Sequence, residues 1–107
     1  DAKVYRTHTT MGEKTLNTLD DMHGVAAIIR SHHEYFNGTG FPDGLTGKDI
    51  PIGARIVAIV EAYEELQSGD YAKAESTPAD AVRVILSNKG KLFCPEMTDA
   101  FVKALRG

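Results

Sequence analysis

The sequence predicts an all-α fold, and three observations predict it. No segment sustains the period-two alternation of a half-buried strand, apolar residues recur at helical spacing through most of the chain, and the one long stretch without that spacing is dense in turn formers. The expectation is about five helices with a long Gly-rich loop between the second and third.

The elements follow in order. Val4, Met11, Gly12 and Leu19 recur at helical spacing with His8 on the same stripe, which predicts a first helix over roughly residues 4–19. A second helix is expected from about Met22 to Glu34, with Val25, Ile28, Ile29 and His32 on its apolar face and His33 at the edge. From Tyr35 to Ile50 the pattern stops. Four glycines (Gly38, Gly40, Gly44, Gly47) and Pro42 fall in that stretch, so it reads as a loop with several positions that need positive φ or close backbone approach. A loop of this length in a compact domain usually has a function.

Pro51 suits a first helical turn, and residues up to Ser68 put Ile52, Ile56, Ile59, Val60, Tyr63 and Leu66 on one face. Ala54, Ala58, Glu61 and Glu65 form a narrower second stripe that aims Glu61 at a closely approaching neighbour. After a weak stretch over 69–76, Thr77-Pro78-Ala79-Asp80 reads as a helix start, with Thr77 as cap and Asp80 three residues on. Val82, Ile85 and Leu86 are the expected apolar face of that helix, which Gly90 ends. A final helix from Pro95 to Leu105 should turn Met97, Phe101 and Leu105 inward.

Composition bounds the function. With 107 residues, 42% hydrophobic and 25% charged, the chain suits one packed domain or a piece of one. Patterning that starts at Val4 behind an initial Asp1 suggests a piece cut from something larger. A net charge of -3 with no basic run gives no case for a nucleic-acid duplex as partner. Neither a signal peptide nor an apolar run approaching the roughly 20 residues of a membrane span occurs, and the single Cys94 cannot form an internal disulfide. No membrane contact is expected from this segment, and the cytoplasm is the expected compartment.

His8, His32, His33 and Glu61 could carry chemistry. Neutral imidazole and carboxylate are ligands for divalent metals in hydrolases, and the loop joins a His-bearing helix to a Glu-bearing one, which brings both to one cleft. The residues alone leave another reading open. A histidine on an apolar face is more often a core residue bonded to a backbone carbonyl, and a single helical Glu is more often solvated. His23, near a helix start, receives no role. The spaced glycines could cradle phosphate, but no Walker pattern is present.

The run HHEYFNGTGFPDGLTGKDIPIGARIVAIVEAYEEL resembles the signature of HD-GYP domains: a paired histidine, a Gly-Tyr-Pro loop, Ile-Pro and an Ala-Arg-Ile helix. The name-giving triplet is here Gly40-Phe41-Pro42, which keeps the ring and loses the hydroxyl. Upstream, His8 and Gly12 are similar to the family's His followed by Gly four residues later; downstream, the family's Phe-Asp-Pro reads Phe93-Cys94-Pro95. The resemblance covers nearly the whole chain. It implies a helical fragment of an HD-domain-like bundle, with residues 1–107 as the C-terminal half of an HD-GYP domain. The His-Asp dyad would lie before Asp1, since no His-Asp dipeptide occurs in the chain.

By resemblance, His8, His32 and His33 match metal ligands, and Glu61 stands in the place of a ligand Asp, with Glu64 where the family has a second Asp. The extra methylene of Glu61 is expected to displace the carboxylate. Beyond that helix, the family's Arg-Pro-Tyr-Arg-Lys-Ala stretch reads Gly69-Asp70-Tyr71-Ala72-Lys73-Ala74, which leaves Lys73 as a phosphate contact without the bidentate arginines. The implied activity is metal-dependent hydrolysis of cyclic di-GMP or a related cyclic dinucleotide in bacterial signalling. Divalent ions, iron or manganese, would be the cofactors of the intact domain, with this fragment expected to hold metal weakly or not at all. The implied partners are a sensory or receiver domain in the same polypeptide and a diguanylate cyclase domain met through the GYP-like loop. The isolated chain, with a partial ligand set, is expected to be inactive. Two alternatives stand beside this reading: a degenerate, non-catalytic module that senses nucleotide or binds protein, and a helical structural fragment.

Overall fold

The computed structural model describes residues 9–10, 15, 23–68 and 77–107. Among them are four α-helices and one short 3-10 turn: α1 (His23–Ser31), the turn Gly47–Asp49, α2 (Ile52–Ser68), α3 (Pro78–Ser87) and α4 (Pro95–Arg106). No strand occurs among the described residues; Asn37 with Thr46 and Lys89 with Phe93 form isolated bridges. In the expected first helix only Thr9, Thr10 and Thr15 are described, and all three are helical. The rest of that helix and the stretch over 69–76 lie outside the described residues. No described helix is long and apolar enough to cross a membrane.

The centre of the bundle is α2, which packs against α1, α3 and α4. Ile59, Ile85 and Phe93 form the buried core, with Ala62, Tyr63, Leu66, Leu92, Met97 and Phe101 packed round it. Tyr63 meets Phe101 edge-on, with ring centroids 5.3 Å apart, the arrangement that sets a positive ring edge against a negative face.

Which residues face inward differs from the expectation in several places. On α1 the buried residue is Ala26, while Val25 is 44% exposed. On α2 the buried residues are Ala54 and Ile59; Ile52, Ile56 and Val60, placed on the inward face by their spacing, form an outward stripe. Ala81 and Ile85 anchor α3 and leave Leu86 exposed, and Thr98 and Val102 anchor α4 and leave Leu105 exposed. The reason is close helix contact. Small residues let backbones approach, and beside such a seam a larger aliphatic is pushed to the rim. At Gly53, for example, a Cβ would stand 2.5 Å from Ile28 Cδ1.

The expected helix start at Thr77 is present in full. The Thr77 hydroxyl accepts from the Asp80 amide (3.2 Å), and the Asp80 carboxylate accepts from the Thr77 amide (3.1 Å), so two orphan donors of the first turn are satisfied reciprocally. These bonds hold the Asp80 carboxyl below its ordinary range, and Arg83, one turn on, adds to the effect. Thr77→Ala is expected to cost about 1 kcal/mol, read as a lower urea midpoint with an unchanged slope. An unchanged midpoint would remove the cap from the account.

Candidate metal centre

Helix α1 ends at Ser31, earlier than the expected Glu34, and this early end creates the site. His32 and His33 sit in the turn that follows, so their rings leave the helix side by side, centroids 4.3 Å apart and tilted by 47°. Across from them α2 presents Glu61. One carboxylate oxygen lies 3.3 Å from His32 Nε2 and the other 3.0 Å from His33 Nε2. His32 is buried, and the other two are partly so.

His32 Nδ1 stands 2.6 Å from the Ile29 carbonyl oxygen. A carbonyl only accepts, so Nδ1 carries the proton, and in the neutral ring Nε2 presents a lone pair toward Glu61. A lone pair there and the Glu61 carboxylate are the donor types that a divalent ion takes. The spacing suits one. With metal–ligand bonds of about 2.1 Å, two donors at right angles on one ion sit about 3 Å apart. The Nδ1–H bond to a backbone carbonyl is also the second contact that orients metal-binding histidines. The donor set therefore fits a divalent metal ion. The three residues offer ligand atoms all within 4.8 Å of one another, the one such group among the described residues. The Glu61 carboxylate stands within 3.3 Å of both histidine Nε2 atoms.

The loop holds the histidines in place. The Phe41 ring stacks on His33 at 5.1 Å and 10° from parallel, so the aromatic ring retained in Gly40-Phe41-Pro42 is the part that touches the site. The Phe41 amide donates to the His33 carbonyl (3.2 Å), and the Phe41–Pro42 peptide is cis. Gly38, Gly44 and Gly47 take positive φ, and Gly40 passes directly beneath the backbone of His33, Glu34 and Tyr35. Both kinds of glycine position were expected from the sequence.

Glu34, to which the sequence reading gave no role, organises this loop. Only 2% exposed, its carboxylate accepts from the amides of Asp43 (2.7 Å) and Leu45 (2.9 Å). The loop's outer side is pinned by the two-pronged pair of Arg30 with Asp43, both contacts 2.9 Å, whose hydrogen bonds hold the Asp43 carboxyl below its ordinary range. At the loop's end, Arg55 donates to the Ile50 carbonyl (3.0 Å) and to Cys94 Sγ (3.5 Å), tying α2 to the start of α4.

His32, His33, Glu61, Tyr35, Ala58, Ala62 and Phe93 line a cleft of about 40 Å³. At roughly 10–15 Å³ per water-sized site, it has room for an ion and a few waters. Burial, reinforced by the charges of Glu61 and Glu65, raises the Tyr35 phenol above its ordinary value, so it is a neutral donor at the cleft wall. Glu64 is exposed. His8 and Lys73 lie outside the described residues.

A family model described as an HD domain matches residues 1–97. The chain belongs to the HD domain family. Among its relatives are a cyclic di-GMP phosphodiesterase of Thermotoga maritima, 34% identical over 94% of this chain and 28% of the relative, and a cyclic di-GMP phosphodiesterase response regulator of Xanthomonas campestris, 38% identical over 73% of this chain and 21% of the relative. These relatives and the Gly40-Phe41-Pro42 loop place the HD chain in the HD-GYP branch. A solved structure of a cyclic GMP-AMP-specific phosphodiesterase of Vibrio cholerae shares the fold, with a TM-score of 0.83 over 98% of this chain and 24% of that one, at 24% identity. The chain spans about a quarter of the length of the relatives it matches.

Proposed function

We propose that this HD chain supplies the His-His-Glu side of a metal-dependent phosphodiesterase that cleaves cyclic di-GMP or a related cyclic dinucleotide. The convergence of His32, His33 and Glu61 on one cleft carries this reading, and the names of the relatives supply the substrate class. Residues 1–107 act as the C-terminal half of an HD-GYP domain in a longer cytoplasmic polypeptide that carries a sensory or receiver domain. His8 adds a further ligand, and Lys73 meets a substrate phosphate. Iron or manganese is the proposed metal, and the GYP-like loop is the proposed contact for a diguanylate cyclase domain.

A divalent ion held by His32, His33 and Glu61 would supply Lewis acidity toward a phosphate oxygen and make a nearby water more acidic. The chain's own residues do the rest. Ile29 fixes the His32 tautomer, Phe41 fixes the plane of His33, and Glu61 brings one carboxylate oxygen toward each ring. The Tyr35 phenol offers a hydrogen bond to a phosphate oxygen at the cleft wall.

The test is turnover of cyclic di-GMP with Mn2+ by the 107-residue chain and by a longer polypeptide that restores a His-Asp-bearing segment before it. The expected result is no product from the chain alone, linear dinucleotide from the longer form, and loss of that product with His33→Ala. Nucleotide binding without turnover by the longer form would support the non-catalytic alternative instead, which draws on the Glu61 replacement and the altered 69–74 stretch.

A further inference from the structure

Tyr35, Ala62 and Phe93 are each shared between two cavities. One is the cleft at the histidines; the other lies beside it, about 280 Å³, and runs between α2 and α3 toward the segment that joins α3 to α4. We infer that this second cavity is a subsite for a single guanine base of the substrate whose phosphodiester lies at His32, His33 and Glu61. The inference rests on the proposed dinucleotide-cleaving function and adds where a base goes and which base it is.

Size comes first. Small-molecule pockets start at about 300 Å³, so this cavity suits one fused ring system and not a whole dinucleotide. Position agrees, because the shared walls put the cavity directly beside the cleft. Chemistry decides the base. Leu66, Val84, Leu92 and Phe93 give apolar walls for the faces of a ring, while the polar lining comes from Glu65, Asn88 and the Tyr35 phenol, a neutral group that can donate to guanine O6 or N7. An ionised carboxylate only accepts, and guanine presents two adjacent donors, N1–H and the exocyclic amine, that match its two oxygens. Adenine sets its N1 lone pair beside its amine and would press an acceptor against Glu65. Asn88 is held at the wall by donation from Nδ2 to the Val84 carbonyl, 3.0 Å, and the second N–H on that nitrogen complements guanine O6. The proposed substrates, cyclic di-GMP and 3'3'-cGAMP, each carry at least one guanine.

The test uses amide NMR spectra of the whole chain in EDTA, with 5'-GMP, 5'-AMP or inorganic phosphate added. 5'-GMP is expected to give saturable shifts at Glu65, Asn88 and Leu92, 5'-AMP to bind at least tenfold more weakly, and phosphate to leave those amides unmoved. Glu65→Gln should reduce the GMP-over-AMP preference to less than threefold, and Val84→Phe, at a half-exposed wall position, should fill the cavity and abolish the GMP response. Equal response to both nucleotides, shifts confined to the His32–His33 turn, or an unchanged preference in folded Glu65→Gln would each overturn the inference. No metal is present, so failure here is separate from failure of metal binding or turnover, and success does not depend on either.

Discussion

Gly40→Ala is expected to abolish divalent-metal binding and to lower stability by about 3 kcal/mol or more, at the upper end of the usual cost of overpacking. A Cβ at this position would stand 2.5 Å from the Tyr35 amide nitrogen and 2.6 Å from Glu34 Cα, and closer still to the His33 carbonyl oxygen. All three obstacles are main-chain atoms of the turn that carries His32 and His33, so none can rotate aside. Either the loop or the histidine turn must move, and Phe41 then leaves His33. Gly53→Ala is the matched control. Its new Cβ would meet only the side chain of Ile28, and alanine favours the helix by as much as about 1 kcal/mol over glycine. Urea unfolding with Mn2+ titration of both variants checks this. Equal small effects at the two positions would show that close approach at Gly40 does not set the site.

Glu34→Gln has the second-largest expected effect, a loss of about 2–3 kcal/mol and at least tenfold weaker Mn2+ binding. The substitution keeps size and shape. It leaves one oxygen to accept from Asp43 or Leu45 and sets an NH2 group against the other amide, donor against donor, in a place that is nearly closed to water. The charge-assisted character of both bonds is lost as well. Because the two amides belong to the loop that presents Phe41, the damage should reach His33 while His32, His33 and Glu61 all stay in place. Stability within about 0.5 kcal/mol of the original protein, the range of ordinary surface changes, would show that Glu34 is a bystander.

The contrast between Glu34 and Glu61 shows what could be read in the sequence. Glu61 stood on a helical stripe with two alanines, and His32 and His33 ended another helix, so their meeting followed from helix periodicity and one connecting loop. Glu34 is the next residue after the same histidine pair, but its partners are backbone amides nine and eleven residues away, and backbone amides leave no mark in a sequence. The only signal was its place in the His-His-Glu run. The Thr77 capping box was legible because every participant lies within four residues.

Helix orientation was less legible, for a related reason. Ile52, Ile56 and Val60 form as regular a stripe as any in the chain, yet the buried positions on α2 are Ala54 and Ile59. A central helix with neighbours on three sides has more than one buried face, and size alone misplaces the seam where small residues allow close contact. The loop glycines, by contrast, were correctly expected to serve unusual backbone geometry, since their side chain is the reason for their use.

The most direct test of the central claim, that His32, His33 and Glu61 together hold a divalent ion, is paramagnetic broadening of amide NMR signals by substoichiometric Mn2+. Signals of His32, His33 and Glu61 are expected to broaden first, and Glu61→Ala, still folded, to need at least tenfold more Mn2+ for the same effect. Broadening that starts elsewhere, or that is unchanged in Glu61→Ala, would contradict it.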